Sequence, residues 1–364
     1  MSIDGKRVLV TGGTGSLGQR IVRRLLNGLA GTPAKVRVLS RDEAKQHDMR
    51  LHFLNRRAAT DDVIYENSRA LLTFRIGDVR DTETMIDAVR GTDIVIHAAA
   101  LKQVPTCEYF PIEAVRTNIL GADALVRATR APGMHVETVV GISTDKACKP
   151  VNVMGMTKAL MERVLIEANI GQSDTRFVCV RYGNVIASRG SVVPVFLDQI
   201  ARGGPVTVTL PEMTRFLLTL DRAVDTVFAA LASARRGEIY VPRVPAARMT
   251  DVAETLIDGR NIPITFTGIR PGEKIHEIMV SEEECHRTLD RDGYYVIAPM
   301  LPECRDSYEA WRPARTTEYS SAEITLDKAG LRELLDSYPG TNGGSETFLN
   351  GVAEATGPRA TRAV

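Results

Sequence analysis

Residues 7–18, RVLVTGGTGSLG, decide the fold of this chain. Arg7 to Val10 is a short apolar strand, the glycine-rich loop follows, and Gln19 to Leu29 has helical periodicity. Glycines in such a loop allow a tight turn, close approach of a pyrophosphate and close packing of helix on strand. Their place between a strand and a helix predicts a dinucleotide-binding unit. The expected cofactor-binding residues of this loop are Gly12, Thr14, Gly15, Ser16, Leu17 and Gly18.

Strands and helices alternate along the rest of the chain, which predicts an α/β fold: a Rossmann-like, doubly wound parallel sheet with a smaller substrate-binding lobe. We assign residues 1–185 to the nucleotide-binding domain, with return elements near 217–240, and residues 186–338 mainly to the lobe. Residues 339–364 have low hydrophobicity and read as a disordered tail. The further predicted strands are 36–39, 72–76, 94–96, 137–142, 177–180 and 206–210. The further predicted helices are 111–129, 154–170, 195–201 and 222–234. Residues 55–71 are a predicted surface insertion.

Composition excludes several classes of function. The 364 residues include 46 basic and 45 acidic side chains, so no broad charge favours nucleic acid or a membrane surface as a partner. Neither a signal peptide nor an apolar run long enough to span a bilayer is evident, and we expect a cytoplasmic protein. The five cysteines lack metal-ligand spacing, so we expect no metal site and no disulfide framework.

The end of the second strand bears on the choice of cofactor. An acidic residue there would bind an adenosine ribose, whereas this chain has Ser40-Arg41-Asp42. Ser40, Arg41 and Lys45 are suited to a 2′-phosphate, so the sequence favours NADP over NAD. Asp42 could still reach a ribose hydroxyl.

The ends of the third and fourth strands add further candidates. Asp78 and Val79 are expected to contact the adenine, and the small residues Ala98, Ala99 and Ala100 let a cofactor lie against the backbone. We interpret His97 as a hydrogen-bonded strand-end residue, because nothing in the local sequence pairs with it. Asn118, inside a predicted helix, is a further cofactor-binding candidate.

Residues 143–158, STDKACKPVNVMGMTK, form the predicted catalytic segment, because they join a buried strand to a helix and carry a hydroxyl, a carboxylate and three amines. The chain has only nine lysines, and five of them occur in its motifs: Lys102, Lys146, Lys149, Lys158 and Lys274. Lysine can lose its proton when partly desolvated and act as a base, which arginine cannot. A polar loop with a helix cap would explain Ser143 and Thr144 but not the clustered Asp145 and Lys146.

Taken together, the motifs TGGTGSLG, SRDEAKQ, GDVRD, HAAALKQVP, STDK, RYGNV, SRGSVVP, MTRF and RPGEK resemble the extended short-chain dehydrogenase/reductase superfamily. Within it the chain resembles the UDP-N-acetylglucosamine 4,6-dehydratases, from about Lys6 to about Leu335. That resemblance implies oxidation of the sugar at C4 by NADP, elimination of water across C5 and C6, and return of the hydride to C6. It also implies a homo-oligomer, a dimer or higher up to a hexamer, assembled through helices 111–129 and 154–170.

The same resemblance assigns roles to individual residues. Lys146 would remove the C5 proton, Asp145 would protonate the departing C6 hydroxyl, Thr144 would hydrogen-bond the C4 oxygen, and Lys158 would hold the nicotinamide ribose. The implied substrate-binding residues are Lys102, Asn184, Ser191, Arg215, Arg270 and Glu273. Several cations, Arg189, Arg215, Arg270 and Lys274, could together neutralise a diphosphate.

The chain departs from the superfamily at Met154. Most members have a tyrosine four residues before the lysine, and a thioether cannot take a proton from the substrate. Met154 and the stretch 318–321 resemble the capsule and O-antigen branch of these dehydratases. Lys146, or Asp145 through water, is the hypothetical replacement base, and Tyr182 is a weaker candidate. Alternatives are a nucleotide-sugar epimerase, a 5,6-dehydratase, or an idle NADP-binding assembly subunit.

Overall fold

The computed structural model describes residues 2–53, 71–171, 174–186, 191–305, 312–323 and 326–336. The predicted insertion at 55–71, except its last residue, and the predicted tail at 339–364 lie outside these ranges, as does Arg189. Two compact units are present. Within the described ranges, the first comprises the residues up to 183, 219–243 and 278–319, and the second comprises those in 184–218, 244–277 and 320–336.

A nine-stranded sheet forms the centre of the first unit, and it confirms the predicted α/β fold class. The strand order is β14-β15-β10-β6-β5-β4-β1-β2-β3. The seven strands from β10 to β3 are parallel, and β15 and β14 add antiparallel pairings at one edge. Runs of aliphatic residues form the central strands because both faces of a parallel sheet are buried. The strands are β1 Arg7–Thr11, β2 Lys35–Ser40, β3 Leu72–Ile76, β4 Ile94–His97, β5 Thr138–Ile142, β6 Arg176–Val180, β10 Ile239–Pro242, β14 Thr288–Arg291 and β15 Tyr294–Ile297.

Helices of the first unit follow the sheet strands in alternation. The helical stretch predicted at 111–129 is interrupted by a π-helical turn, Val115–Leu120, and the next predicted helix begins after the N-cap Asn152, whose side-chain oxygen accepts from Gly155 N at 2.8 Å. Such π turns often occur at functional sites. The helices are α1 Ser16–Leu26, α2 Glu43–Phe53, α3 Thr82–Val89, α4 Val104–Tyr109, α5 Pro111–Ala114, α6 Gly121–Arg130, α7 Val153–Glu167, α9 Leu220–Ser233 and α11 Glu282–Cys285.

The second unit has its own apolar core, which includes Phe196, Val208, Leu217 and Leu256. It contains a three-stranded sheet in the order β11-β9-β7 and the pair β12-β8. The strands are β7 Asn184–Val185, β8 Val206–Val208, β9 Thr214–Leu218, β11 Ala246–Arg248 and β12 Ile264–Phe266, and the helices are α8 Val192–Ala201, α10 Met249–Ile257 and α12 Lys328–Asp336.

Two segments differ from what their sequence suggests. The polar surroundings of Thr214, Arg215 and Phe216 suggest a surface loop, but these residues are buried in strand β9. The charged residues 268–277 suggest a turn that enters a helix, but the apolar run that follows them forms strand β13, Ile278–Val280. A three-residue apolar run bounded by polar residues suits a short strand better than a helix. The last strand, β16, is Tyr319–Ser320.

None of the helices that the structure describes is long and apolar enough to cross a membrane. Across the described ranges no group of three or more His, Cys, Asp or Glu side chains is arranged to hold a metal ion. All five cysteines are free thiols, four of them buried.

Candidate functional site

The glycine loop after β1 forms a cradle in which backbone segments pack too closely for side chains at Gly12 and Gly18. Gly12 has a φ of +66°, and a Cβ on it would lie 2.7 Å from the backbone nitrogen of Ala99. At Gly18 a Cβ would lie 2.5 Å from the Cα of Gly13. Helix α1 begins directly after Gly15, so its positive N-terminal end adjoins the cradle. These features fit the pyrophosphate of a dinucleotide.

Side chains at the end of β2 extend this cradle. Ser40 Oγ lies 2.8 Å from Thr14 Oγ1, which links β2 to the glycine loop. Asp42 forms an ion pair with Lys45 and also accepts a hydrogen bond from the backbone nitrogen of Lys45 at 3.0 Å. The Arg41 side chain is 54% exposed and therefore accessible to a ligand. The Asp42 carboxylate, which could reach a ribose hydroxyl, is thus paired with Lys45 in this structure.

Asp78 lies at the end of β3 among cations. Arg80 Nε donates to its Oδ2 at 2.8 Å, and Arg41 Nη1 lies 3.6 Å from the same oxygen. Burial raises the pKa of Asp78, but the hydrogen bonds from Arg80 outweigh burial and hold that pKa below its usual value. Val79 is buried, and its side chain faces Gly121, where a Cβ would lie 3.1 Å away.

Asn118 holds the loop that follows β4. Its side-chain oxygen accepts from Leu101 N at 2.9 Å, and its amide donates to Leu101 O and to Thr157 Oγ1, each at 3.0 Å. The side chain therefore ties the loop to helix α7. This loop carries Ala98, Ala99 and Ala100, which are half-buried, and Lys102, which is exposed. Contact of Asn118 with a cofactor stays a prediction.

His97 ends strand β4 in a fully buried position. Its Nδ1 lies 2.9 Å from Thr11 Oγ1, as the interpretation of a hydrogen-bonded strand-end residue requires. Its Nε2 has no hydrogen-bond partner among the described residues. Burial, together with the charge of Lys158, lowers the pKa of His97 to about 3, so the ring is neutral at physiological pH.

The predicted catalytic segment begins where β5 ends and enters a short 3-10 turn, Asp145–Ala147. Thr144 Oγ1 donates to Asp145 Oδ1 at 2.8 Å, and Lys146 Nζ lies 3.2 Å from the same oxygen. The Asp145 side chain is 1% exposed, whereas that of Lys146 is 20% exposed. A hydroxyl, a carboxylate and an amine are therefore joined in one chain of contacts at the carboxyl end of the sheet.

Helix α7 packs tightly against this turn. A Cβ on Gly155 would overlap the carbonyl oxygen of Lys146 and lie 3.0 Å from its carbonyl carbon. Met154 is buried and packs with Cys107 and Ala114 in an apolar cluster. Tyr182 packs against the main core, and burial raises the pKa of its hydroxyl. Neither Met154 nor Tyr182 is therefore suited to act as a base at neutral pH.

Lys158 is 5% exposed and lies on the same helix. Its Nζ is 2.9 Å from the thioether sulfur of Met161, which is a weak acceptor for an ammonium group. Burial lowers the pKa of Lys158 to about 8. The amine can therefore change its protonation state near physiological pH.

In the second unit, a charged cluster surrounds the buried Glu277. Arg215 Nε lies 3.9 Å from Glu277 Oε1, and Lys274 Nζ lies 4.0 Å from Glu277 Oε2. Arg215 Nη1 also donates to the backbone oxygens of Thr214 and Ile275, at 2.7 and 3.1 Å. Buried hydrogen bonds thus fix the guanidinium of Arg215.

The other predicted substrate-binding residues of this unit occupy strand and loop positions. Asn184 is in β7, and Ser191 is the N-cap of α8. Glu273 N donates to Arg270 O at 3.1 Å within the turn after β12. The buried atoms Ser191 Oγ and Glu273 Oε2 have no hydrogen-bond partner in the part of the chain that is described. Both are therefore able to accept a further hydrogen bond.

Sequence reasoning missed a buried ion network behind the predicted catalytic segment. Arg181 is 2% exposed and forms ion pairs with Glu162, at 2.7 Å, and with Glu284, at 2.8 Å. One signal was available, since a charged residue directly after the apolar run 177–180 must be paired if it is buried. The other partner, Glu284, is far along the chain and carried no local signal.

Comparisons with known proteins agree with this architecture. Residues 8–299 match the family described as "Polysaccharide biosynthesis protein". The chain belongs to this family. A family relative from Rickettsia prowazekii (strain Madrid E), named UDP-glucose 4-epimerase, is 44% identical over 347 residues, which cover 94% of this chain and 92% of the relative. A protein of the same name from Rickettsia akari (strain Hartford) is 44% identical over 305 residues, or 82% and 84% of the two chains.

Solved structures of similar fold include proteins named as a dehydratase and as an epimerase. The structure of Pen from Bacillus thuringiensis has a TM-score of 0.81 and 34% identity and covers 93% of this chain and 99% of its own. DesIV, a dTDP-glucose 4,6-dehydratase from Streptomyces venezuelae solved with NAD and TYD, has a TM-score of 0.61 and 22% identity, with coverage of 74% and 86%. The UDP-glucose 4-epimerase of Thermus thermophilus has a TM-score of 0.58 and 24% identity, with coverage of 73% and 88%.

Proposed function

We propose that this chain is an NADP-dependent UDP-N-acetylglucosamine 4,6-dehydratase that makes a UDP-2-acetamido-2,6-dideoxy-4-hexulose for polysaccharide biosynthesis. The observation that carries the proposal is the contact chain Thr144–Asp145–Lys146, with distances of 2.8 and 3.2 Å. Oxidation at C4 alone needs only a base for the hydroxyl proton. Elimination of water across C5 and C6 also needs a base for the C5 proton and an acid for the C6 hydroxyl. Asp145 and Lys146 supply that acid and base in one place.

The cofactor suits the cradle of the first unit. Gly12 and Gly18 allow the close backbone packing of the loop, and the N-terminus of α1 after Gly15 favours the charge of the pyrophosphate. Ser40 and the exposed Arg41 would hold the 2′-phosphate of NADP, because Asp42 is already paired with Lys45. Lys158 would bond to the nicotinamide ribose. When bound, the nicotinamide accepts the C4 hydride and returns it to C6.

The side chains then account for every proton. The proton of the C4 hydroxyl passes to Thr144 Oγ1, whose own proton moves to Asp145 along their 2.8 Å hydrogen bond. Asp145 delivers this proton to the C6 hydroxyl, which leaves as water. Lys146 removes the C5 proton, which the C4 ketone has acidified. After the hydride reaches C6, the protonated Lys146 returns a proton to C5 on the same face, or water supplies it on the opposite face. This route supplies the base that a tyrosine provides in most of the superfamily and that Met154 cannot provide.

The substrate nucleotide would be bound by charged and polar side chains. We assign Arg215 and Arg270 to the diphosphate, and Asn184, Ser191 and Glu273 to hydrogen bonds with the nucleotide-sugar. The Oγ of Ser191 and Oε2 of Glu273 are buried and have capacity for such bonds. Lys102, exposed in the loop after β4, would lie near the sugar or its phosphates.

The active form is proposed to be a homo-oligomer. The π-helical turn and helix α7 expose large apolar side chains to solvent: Leu120 is 50% exposed, Met156 47% and Leu160 52%. Exposed apolar side chains grouped on neighbouring helices mark contact surfaces between subunits. We place the subunit interface on these two elements.

The test is incubation of the purified protein with UDP-N-acetylglucosamine and catalytic NADP in deuterated water, followed by NMR and mass spectrometry. We expect the loss of one water and deuterium at C5, with the C5 coupling reporting retention or inversion. Asp145→Asn and Lys146→Met should abolish product while NADP binding persists. Absence of turnover with NADP bound would instead favour an idle assembly subunit.

Epimerisation at C4 is the second candidate, because the rickettsial relatives are named UDP-glucose 4-epimerase. An epimerase would return the hydride to C4 and leave C5 undeuterated. In that case Lys146→Met would keep hydride transfer, and the sugar would retain its C6 hydroxyl. The same NMR experiment, repeated with UDP-glucose, separates the two reactions.

A further inference from the structure

The buried network behind the catalytic segment is centred on Arg181. A guanidinium has five N–H groups, and each has an acceptor here. Nε and Nη2 donate to Glu162 at 3.1 and 2.7 Å, Nη1 and Nη2 donate to Glu284 at 2.8 and 3.2 Å, and Nη1 donates to the backbone oxygen of Met279 at 2.8 Å. Geometry of this kind fixes the guanidinium plane.

The two carboxylates bound to Arg181 also contact residues on both sides of the turn Asp145–Ala147. Ser143 Oγ donates to Glu162 Oε1 at 2.5 Å, and Cys148 Sγ lies 3.7 Å from Glu284 Oε2. Asp145 and Lys146 lie between these two contacts. The turn is therefore connected to the same cation on both sides.

The backbone at the start of the segment is hydrogen-bonded to the end of strand β6 and the residues after it, which include Arg181. Ser143 N donates to Val180 O at 2.7 Å, and Asp145 N donates to Tyr182 O at 3.0 Å. Arg181 lies between these two acceptors, so the segment is registered against it on both sides. Glu284 in turn accepts from Ser281 N at 3.1 Å within a capping box, which connects the network to helix α11.

We propose that Arg181 is a positioning residue that acts through Glu162 and Glu284 to hold Asp145 and Lys146 in their reactive arrangement. This inference rests on the proposed dehydratase function. Arg181 is too deeply buried to touch substrate, and its effect passes through Ser143 and Cys148. Burial raises the pKa of Glu284, but Arg181 outweighs burial and brings that pKa to about 2, so the carboxylate stays charged in the working pH range.

The test uses Ser143→Ala, which removes one hydroxyl and leaves all charges of the network in place. Thr226→Val is the matched control, because Thr226 is fully buried and its hydroxyl donates to Arg222 O at 2.9 Å in helix α9. We expect Ser143→Ala to lower kcat about ten- to a hundredfold. The KM for UDP-N-acetylglucosamine and the free energy of unfolding should match those of the control.

Two further measurements separate positioning from general stability. Cys148→Ser, which keeps a donor to Glu284, should keep more of kcat than Cys148→Ala. Hydrogen exchange read by mass spectrometry should show faster exchange at the amides of residues 145–148 in Ser143→Ala and not in Thr226→Val. Equal kcat and equal exchange in Ser143→Ala and Thr226→Val would overturn the proposal.

Failure of the proposed function gives a different pattern. A wild-type protein that does not dehydrate UDP-N-acetylglucosamine would refute the reaction assigned above. The exchange comparison would still decide whether Ser143 and the Arg181 network hold the segment, since it needs no turnover. Unchanged exchange would overturn the positioning role in either case.

Discussion

Gly155 lies where helix α7 meets the turn that carries Lys146. In Gly155→Ala the new Cβ would overlap the carbonyl oxygen of Lys146, and contacts below 3.4 Å are already tighter than normal. Relief requires a shift of the turn on the order of 1 Å, and displacement of that size costs about a hundredfold in rate. Overpacking costs about 1–3 kcal/mol, which the better helix propensity of alanine offsets by about 0.5–1 kcal/mol.

The assay compares kcat for dehydration with the free energy of unfolding in urea. Gly330→Ala in α12 is the control, because its Cβ would lie 3.2 Å from the nearest atom, an oxygen of the exposed Asp327 side chain. We expect a loss of about a hundredfold in kcat for Gly155→Ala and little change for the control. Wild-type kcat in a fully folded Gly155→Ala would refute the argument that this contact sets the position of Lys146.

Three other changes test separate features. Lys158→Met should stabilise the fold most below pH 8, because folding lowers the pKa of Lys158 from 10.5 to about 8. The free energy of unfolding of the wild type should therefore rise by about 3 kcal/mol relative to that of the variant between pH 8 and pH 10.5. A constant difference between the two proteins across this pH range would contradict the prediction. Asn118→Leu should weaken NADP binding measured by calorimetry, because the loop at Leu101 loses its hydrogen bonds, whereas an unchanged Kd would exclude the loop from the cofactor site. Leu160→Glu should lower the mass in light scattering if the exposed face is the subunit interface, and an unchanged oligomer would place the interface elsewhere.

Local patterns were sufficient for the fold of the first half. The apolar run before Thr11 and the helical spacing after Gly18 predicted a strand, a loop and a helix, because these signals lie within a few residues of each other. The predicted helix at 111–129 was found, but its π-helical turn was not foreseen. That turn carries Asn118, whose bonds to Leu101 depend on a contact between distant parts of the chain.

The candidate site also has features that the sequence predicts and features that it does not. Thr144, Asp145 and Lys146 are neighbours in sequence, so their grouping was predictable, although the 2.8 and 3.2 Å contacts were not. The role of Glu284 could not be predicted, because only the folded chain brings it to Arg181. Strand β9 was missed because the short buried run 214–218 begins with Thr214 and Arg215, a polar and a charged residue that do not indicate a buried strand.

Lys149 follows the turn that carries Asp145 and Lys146 and has a φ of +44°, and its amine lies 2.9 Å from Glu318 and 3.5 Å from Glu282. Lys149 has a left-handed backbone conformation, and the carboxylates that pair with it lie more than a hundred residues later in the chain. During synthesis Lys149 therefore emerges from the ribosome well before the two carboxylates that pair with it. The contacts of this lysine can be complete only after residue 318 has left the ribosome.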